Sequence, residues 1–330
     1  MRSAALLPAR VLVIAVAAAA CASAPPAPPA PACPPAAAGF AAGSAPPPAG
    51  TLQDRVAALA RAHRGQVALF ARHLGTGATV ELQPDREART ASAIKLAVLV
   101  EAFHQIKAGT RSLAAPITLR DADKVTGSGI LPLLHGGLPL TLEDALALMT
   151  ALSDNTATNL AIDQLGGVGA VNRRLAALGY QHTHLYKKVY VPATEPMPAD
   201  QKQFGLGKST ARELARLMES IARCELGDPA LCRRMLDMLR NQQVRYYIAR
   251  YIETGDTSEA PAAVAAKLGE IDAARIEVAL VEARTGPIVI AALTWDNADH
   301  RYSPDNEAAI LIARLAEAIV RAWSPEGLRP

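Results

Sequence analysis

The stretch RTASAIKLAVLVEAFHQIKAG (Arg89–Gly109) starts like a helix and then carries apolar residues around almost its whole circumference. A helix that is apolar on every side belongs in the middle of a core. It nevertheless keeps a serine and a lysine, Ser92 and Lys95, at its beginning. On a helix, residues three apart lie on one face, a single turn from each other. A serine hydroxyl is a poor nucleophile unless a neighbouring base takes its proton, and a lysine amine can do so once desolvation lowers its pKa toward neutrality. The residues LAVLVEAF after Lys95 supply apolar surroundings of that kind. The helix N-terminus adds partial positive charge and free N–H groups suited to an oxyanion. Taken alone, the S-x-x-K pair reads first as a helix-start serine followed by a surface lysine.

Upstream of this helix, LQDRVAALARAHRG (residues 52–65) has a helical pattern ending at Gly65, and QVALFARHLGTGATVELQPD (66–85) reads as a hairpin around GTG. Downstream comes a polar, Gly-containing loop, RDADKVTGSGILPLLHGG (120–137). Thr141 and Asp144 then form a capping pair for TLEDALALMTALSDN, and a further helix runs to Gly166 and Gly167. Thr210 and Glu213 make a second capping box before ELARLMESIARC. The chain returns to strands in RIEVALVEA (275–283) and GPIVIAALTWD (286–296), and then to the helix NEAAILIARLAEAIVRAW. Strands at both ends with helices between imply an α/β (α+β) fold of two lobes. The terminal segments, about 52–90 and 256–330, share one antiparallel sheet with flanking helices, and about 91–255 form a mainly helical lobe. A cleft between the lobes is the natural place for chemistry.

At 330 residues and 50% apolar content the chain is long enough to bury a substantial core. Its formal charge of +3 includes Arg2 and Arg10, so nothing in it suggests a nucleic-acid surface, and 4% aromatic residues offer few stacking platforms. Those two arginines flank or precede VLVIAVAAAA (11–20), too short to span a bilayer and suited to the apolar region of a signal peptide over residues 1–20. Cys21 follows directly and opens a Pro/Ala-rich linker, 21–51, ahead of one domain over 52–330. This arrangement resembles a bacterial lipoprotein start with Cys21 bearing the lipid, and simple cleavage after ASA (22–24) is the alternative. The expected location is the periplasm or outer envelope, with any membrane contact made only through that lipid, and the expected state is a monomer. In an exported protein Cys224 and Cys232, in CELGDPALC, form a disulfide or remain as two small buried hydrophobes. No Cys/His spacing reads as a metal site, and His182 and His184 alternate without a third ligand.

Two further segments complete a pattern. MTALSDNTATNLAI contains Ser153, Asp154 and Asn155 at a helix junction, and VAAKLGEIDAARIEVALVEA places Lys267 and Gly269 at the entry of the 275–283 strand. S-x-x-K, S-D-N and K-T-G, in that order, mark the class A β-lactamases and penicillin-binding proteins, and the third stands here as K-L-G. From about residue 52 to residue 323 the chain resembles the class A β-lactamase and related serine-hydrolase family, with SDNTATNLAIDQLGG especially similar. The resemblance implies that Ser92 is the acylated nucleophile and that Lys95 activates it. It implies an oxyanion hole made by the N–H groups of Ser92 and Glu270, and a proton relay through Ser153 to the leaving nitrogen. Asn155 would hold Lys95 and a substrate amide, while Lys267 would set the field around Ser153 and a substrate carboxylate. Arg275 is either the carboxylate-binding arginine or an exposed strand arginine. No cofactor is implied.

The match departs in two places. The family's deacylating glutamate has an asparagine four residues on, whereas YKKVYVPATEPMPADQKQFGLGKST offers Glu195 followed by Pro196 with Ala199 in that later position. Glu195, Asp200 or neither serves this role. Leu268 also replaces the hydroxyl residue that would bond a β-lactam carboxylate, a loss worth about 1.5–3 kcal/mol. Three readings follow from the sequence. One is a class A type hydrolase opening a lactam amide; the second is a related hydrolase or penicillin-binding protein acting on a peptide or ester with little lactam turnover. The third is a non-catalytic envelope-binding module on the same scaffold. No G-x-S-x-G elbow and no H-E-x-x-H offers another scheme.

Overall fold

The computed structural model describes residues 50–193, 196–253 and 262–329. Cys21 and the leader, like Glu195, lie outside the described residues. In chain order the elements begin with α1 (Leu52–Arg61), β1 (Gln66–His73), β2 (Thr79–Leu82) and β3 (Ala88–Arg89). A 3-10 turn (Ala91–Ile94) leads into α2 (Lys95–Lys107), followed by β4 (Pro116–Thr118), β5 (Pro139–Thr141), α3 (Leu142–Ala151), α4 (Asn155–Gln164) and α5 (Val168–Ala177). Then come β6 (His184–Leu185), α6 (Gln201–Phe204), β7 (Gly207–Ser209), α7 (Ala211–Ala222) and α8 (Pro229–Arg240). A further 3-10 turn (Ile248–Tyr251) precedes β8 (Val264–Ile271), β9 (Ala274–Ala283), β10 (Gly286–Trp295) and α9 (Glu307–Trp323).

The main sheet is antiparallel with strand order β2-β1-β10-β9-β8, so the two ends of the chain meet where β1 pairs with β10. The hairpin read at GTG forms as expected, with Leu69 opposite Leu82 and Arg72 opposite Thr79. Successive side chains on a strand face opposite ways, which divides the core in two. Phe70, Ile276, Val278, Leu280 and Val289 pack with the apolar residues of α2, α3 and α7. Leu69, Ala71, Ile288 and Ile290 pack instead with Ile312, Leu315 and Ile319 of α9. Helix α2 buries Leu96 to Phe103 without a break, and each leucine, valine and phenylalanine of that run contributes about 1.5–3 kcal/mol on leaving water. That is the physical meaning of its all-round apolar pattern.

Local signals behave unevenly. Thr141 and Asp144 close a full capping box on α3. Thr210 caps α7 through the Glu213 N–H at 3.1 Å, but the Glu213 side chain does not return to it. That carboxylate accepts from the N–H groups of Gln181 and His182 and from the Thr183 hydroxyl, tying the β6 segment to α7. The expected second capping box is therefore half a box. Cys224 and Cys232 are bridged, with Cα atoms 5.5 Å apart, linking the end of α7 to α8.

The sequence expectation also missed a strand. Lys267 and Gly269 stand inside β8, an edge strand that turns at Asp272 and Ala273 into β9, not at the entry of the next strand. Alanine, lysine and glycine carry little strand propensity, and pairing with β9 over the full length of β8 supplies what the local pattern lacks. The segment read as mainly helical also contains the small sheet β4-β5, and its β6 and β7 form another with β3 from just before it.

Candidate active site

Three segments distant in sequence converge on Ser92. The first is the turn that carries it. Ser92 sits in the 3-10 turn before α2, not in the α-helix proper, and the preceding Ala91 holds φ of +44°. The first N–H groups of such a turn have no partner within it and point out from its positive end. The second segment is β8. A Cβ on Gly269 would lie 2.3 Å from Thr90 O, 2.6 Å from Ala93 N and 2.9 Å from Ser92 N. Only a glycine lets the edge strand press its backbone against the turn that carries Ser92, which sets residue 270 beside Ser92.

The third segment is the junction between α3 and α4. Ser153 holds φ of +53°, a left-handed conformation that costs a non-glycine residue about 1–3 kcal/mol. Asp154 begins α4 and fixes it, its buried carboxylate accepting from Ala157 N at 2.8 Å, Ile130 N at 2.7 Å and Leu131 N at 2.9 Å. The last two bonds wrap the glycine-rich loop onto the junction. Gly129, with φ of +112°, packs so closely that an added Cβ would sit 2.2 Å from the Asp154 carboxyl carbon. Ser128 of the same loop donates to Ser153 O at 2.6 Å and lies 3.4 Å from Asn155 Oδ1. The sequence reading singled out this loop but not Ser128, whose only signal was the pair of glycines flanking it.

Lys95 is completely buried, and its Nζ lies 2.7 Å from Ser153 O, 3.2 Å from Ser153 Oγ and 2.9 Å from Asn155 Oδ1. Burial holds its pKa well below the ordinary lysine range, the charge of Lys267 pushes the same way, and Asp154 partly opposes both. Lys267, equally buried, reaches Ser153 Oγ at 3.1 Å and Leu268 O at 2.8 Å. Burial brings its pKa down to about 7 against the upward pull of Glu277 and Glu270. The Ser153 hydroxyl thus stands between two amines. Its oxygen accepts from both amines and it keeps one proton of its own to give, so it can pass that proton onward and be resupplied from either side.

Asn155 is committed at both ends, its Oδ1 to Lys95 and its Nδ2 to Thr126 O at 3.0 Å, which leaves one amide hydrogen for a ligand. Ser92, Ser153, Asn155, Leu268 and Glu270 line one cleft of about 620 Å³, walled also by Tyr190, Gln242, Val244 and Tyr302. Arg275 does not join them, and both readings of it need correction. It is fully buried, not exposed, and its guanidinium is spent on backbone carbonyls. Nη1 reaches those of Ile271, Asp272 and Ala274, and Nη2 those of His300 and Arg301. Its plane also stacks under Tyr302, 4.9 Å from the ring centre. With every acceptor a main-chain oxygen of neighbouring turns, its work is to hold the cleft rim. Asp200 does not line the cleft and pairs with Lys208 at 3.0 Å.

Two buried groups went unread in the sequence. Glu277, on β9, accepts from Ile248 N at 2.6 Å, and burial raises its carboxyl to about 7. Tyr247 donates to Glu270 at 2.8 Å from a fully buried ring.

A sequence model of the beta-lactamase enzyme family matches residues 51–323. A beta-lactamase of Streptomyces fradiae is 32% identical over 156 residues, which are 46% of this chain and 50% of that protein. One of Streptomyces cellulosae is 30% identical over 151 residues, 45% and 48% of the two chains. The chain thus spans about half the length of the curated relatives it matches. Among solved structures, the beta-lactamase of Sphaerobacter thermophilus is 31% identical with a TM-score of 0.70, covering 82% of this chain and 96% of its own. The structure of PBP-A shares the fold at 24% identity and a TM-score of 0.68, covering 82% and 95%.

Proposed function

This chain belongs to the beta-lactamase enzyme family, and from that premise we propose that it is an exported serine hydrolase that opens the amide of a β-lactam through an acyl-Ser92 intermediate. The observation that carries the reading is the Ser153 hydroxyl held 3.2 Å and 3.1 Å from two fully buried amines, those of Lys95 and Lys267. Neutral Lys95 takes the Ser92 proton as Oγ attacks the carbonyl carbon. The oxygen that gains the electron pair is met by the N–H groups of Ser92 and Glu270. Ser153 passes a proton to the departing nitrogen and is resupplied from Lys95, so the C–N bond breaks and an ester remains on Ser92. Water then releases the acid, and Glu195 is the carboxylate proposed to activate it.

A second reading, a related hydrolase or penicillin-binding protein acting on a peptide or ester, is favoured by Leu268 in the cleft wall and by the diversion of Asp200 to Lys208. Intact-mass spectrometry with benzylpenicillin over time separates the two. An adduct on Ser92 that forms and decays, absent in Ser92→Ala, supports lactam hydrolysis. A permanent adduct supports the second reading, and no adduct with either millimolar benzylpenicillin or its uncharged methyl ester overturns the first. Export and lipidation at Cys21 are tested by treating cells with a lipoprotein signal-peptidase inhibitor. A precursor that fails to accumulate removes the lipid.

A further inference from the structure

The end of the cleft beside Lys267, where a leaving group would lie, is chemically unusual for a site that handles carboxylated lactams. Residues directly opposite on β8 and β9 share a face, so Leu268, Glu270, Arg275 and Glu277 project the same way. Leu268, almost fully buried, stands in the cleft lining where a hydroxyl would receive a carboxylate. Glu270 adds a carboxylate of its own, which accepts one hydrogen bond, from Tyr247 at 2.8 Å. Among the described residues no lysine, arginine or histidine forms a salt bridge with it. Arg275, its cross-strand neighbour, is turned away onto the carbonyls of residues 271, 272, 274, 300 and 301. Lys267 is sealed beneath this surface, with Ser153 Oγ and Leu268 O as its partners. The lysine that does line the cleft, Lys187, comes from the segment after β6 together with Val189 and Tyr190, not from the β8 side.

Resting on the reading that Ser92 is acylated, we infer that this end of the cleft is a subsite for an uncharged leaving group, and that Glu270 is the specificity residue that excludes a carboxylate there. Two like charges in a partly desolvated groove repel by more than either hydrogen bond in such a site returns. The uncharged wall formed by Leu268, Ile271 and Tyr302 offers contact to an apolar or amide-bearing group instead. The substrate class is therefore an ester or amide, lactams included, whose leaving side carries no acid.

The test uses two phenylacetate esters that differ in one group, those of 3-hydroxybenzamide and of 3-hydroxybenzoate. Their kcat/KM values are measured with the full chain, Glu270→Gln, Leu268→Thr and Ser92→Ala. The wild type should favour the benzamide ester, and Glu270→Gln should reduce that preference roughly tenfold by speeding the acidic ester relative to the neutral one. Comparing the ratio between variants cancels the intrinsic reactivity of the two esters and any effect of the variant common to both. Leu268→Thr should help the acidic ester alone. A preference unchanged in Glu270→Gln, with cleavage still dependent on Ser92, overturns the inference and leaves the acyl-serine reading standing. Failure of both esters to be cleaved in a Ser92-dependent way counts against both.

Discussion

Replacing Gly269 by alanine tests how closely the catalytic segments must approach. The added methyl would meet three backbone atoms, Thr90 O at 2.3 Å, Ala93 N at 2.6 Å and Ser92 N at 2.9 Å, none of which can rotate away as a side chain would. Relieving the worst contact requires β8 and the nucleophile turn to part by roughly 1 Å. Such a shift carries Lys267 and the residue 270 N–H away from Ser92 together. A misplacement of about 1 Å typically costs on the order of 10²-fold in rate, and overpacking of this kind costs about 1–3 kcal/mol in stability. The variant should therefore melt a few degrees lower while losing most of its reactivity, because the strain falls on the reacting geometry and not on the core. The assay is the second-order rate of Ser92 labelling by a fluorophosphonate, followed by intact mass, beside a thermal melt. Labelling at the wild-type rate with an unchanged melt would refute the proposed contact between β8 and the turn.

Lys95→Ala should slow Ser92 labelling by about 10²–10⁴, the usual worth of general-base help, with the far-UV circular dichroism spectrum retained. An unchanged rate takes Lys95 out of the mechanism. Asp154→Ala strips the acceptor from the buried N–H groups of Leu131 and Ala157, at about 1–3 kcal/mol each, and from the half-buried one of Ile130, and should lower stability in urea by at least about 2 kcal/mol. A loss below about 1 kcal/mol would mean that the glycine-rich loop is held by something else. Glu277→Gln removes the group that most raises the pKa of Lys267, so any alkaline limb of the rate near pH 7 should move to lower pH. The same variant reports on stability. The folded Glu277 carboxyl titrates near 7 against an ordinary 4.5, so its contribution is complete below about 4.5 and is lost as pH rises through about 7. Unfolding free energy measured across that window should consequently fall less in the variant, and equal slopes would contradict the assignment.

Much of this molecule could be read along the chain because the signals are short-range. The apolar circumference of α2 announced a central helix, Thr141 and Asp144 announced the start of α3, and the alternation in 66–82 announced the hairpin. The three chemical motifs were likewise visible, since each fits within one turn or strand end. What the sequence could not supply was anything that depends on who arrives from afar. Glu213 met the spacing rule for a capping box, yet three donors of the β6 segment, stronger together than the single N–H it was expected to cap, took its carboxylate. Arg275 had the right type and nearly the right place, but the turn at 271–272 and the chain at 300–301 spent its donors.

The sequence by itself determined the fold class and named the candidate reacting groups, because periodicity and motif spacing are properties of neighbouring residues. Only the tertiary structure decided their chemical state. A lysine becomes a base when other segments exclude water from it and set a second charge nearby, and Lys95 has Asn155, Ser153 and Lys267 to do this from 58 residues away and more. Desolvation and Coulomb energy depend on distance in space, and for residues so far apart along the chain that distance is fixed by folding.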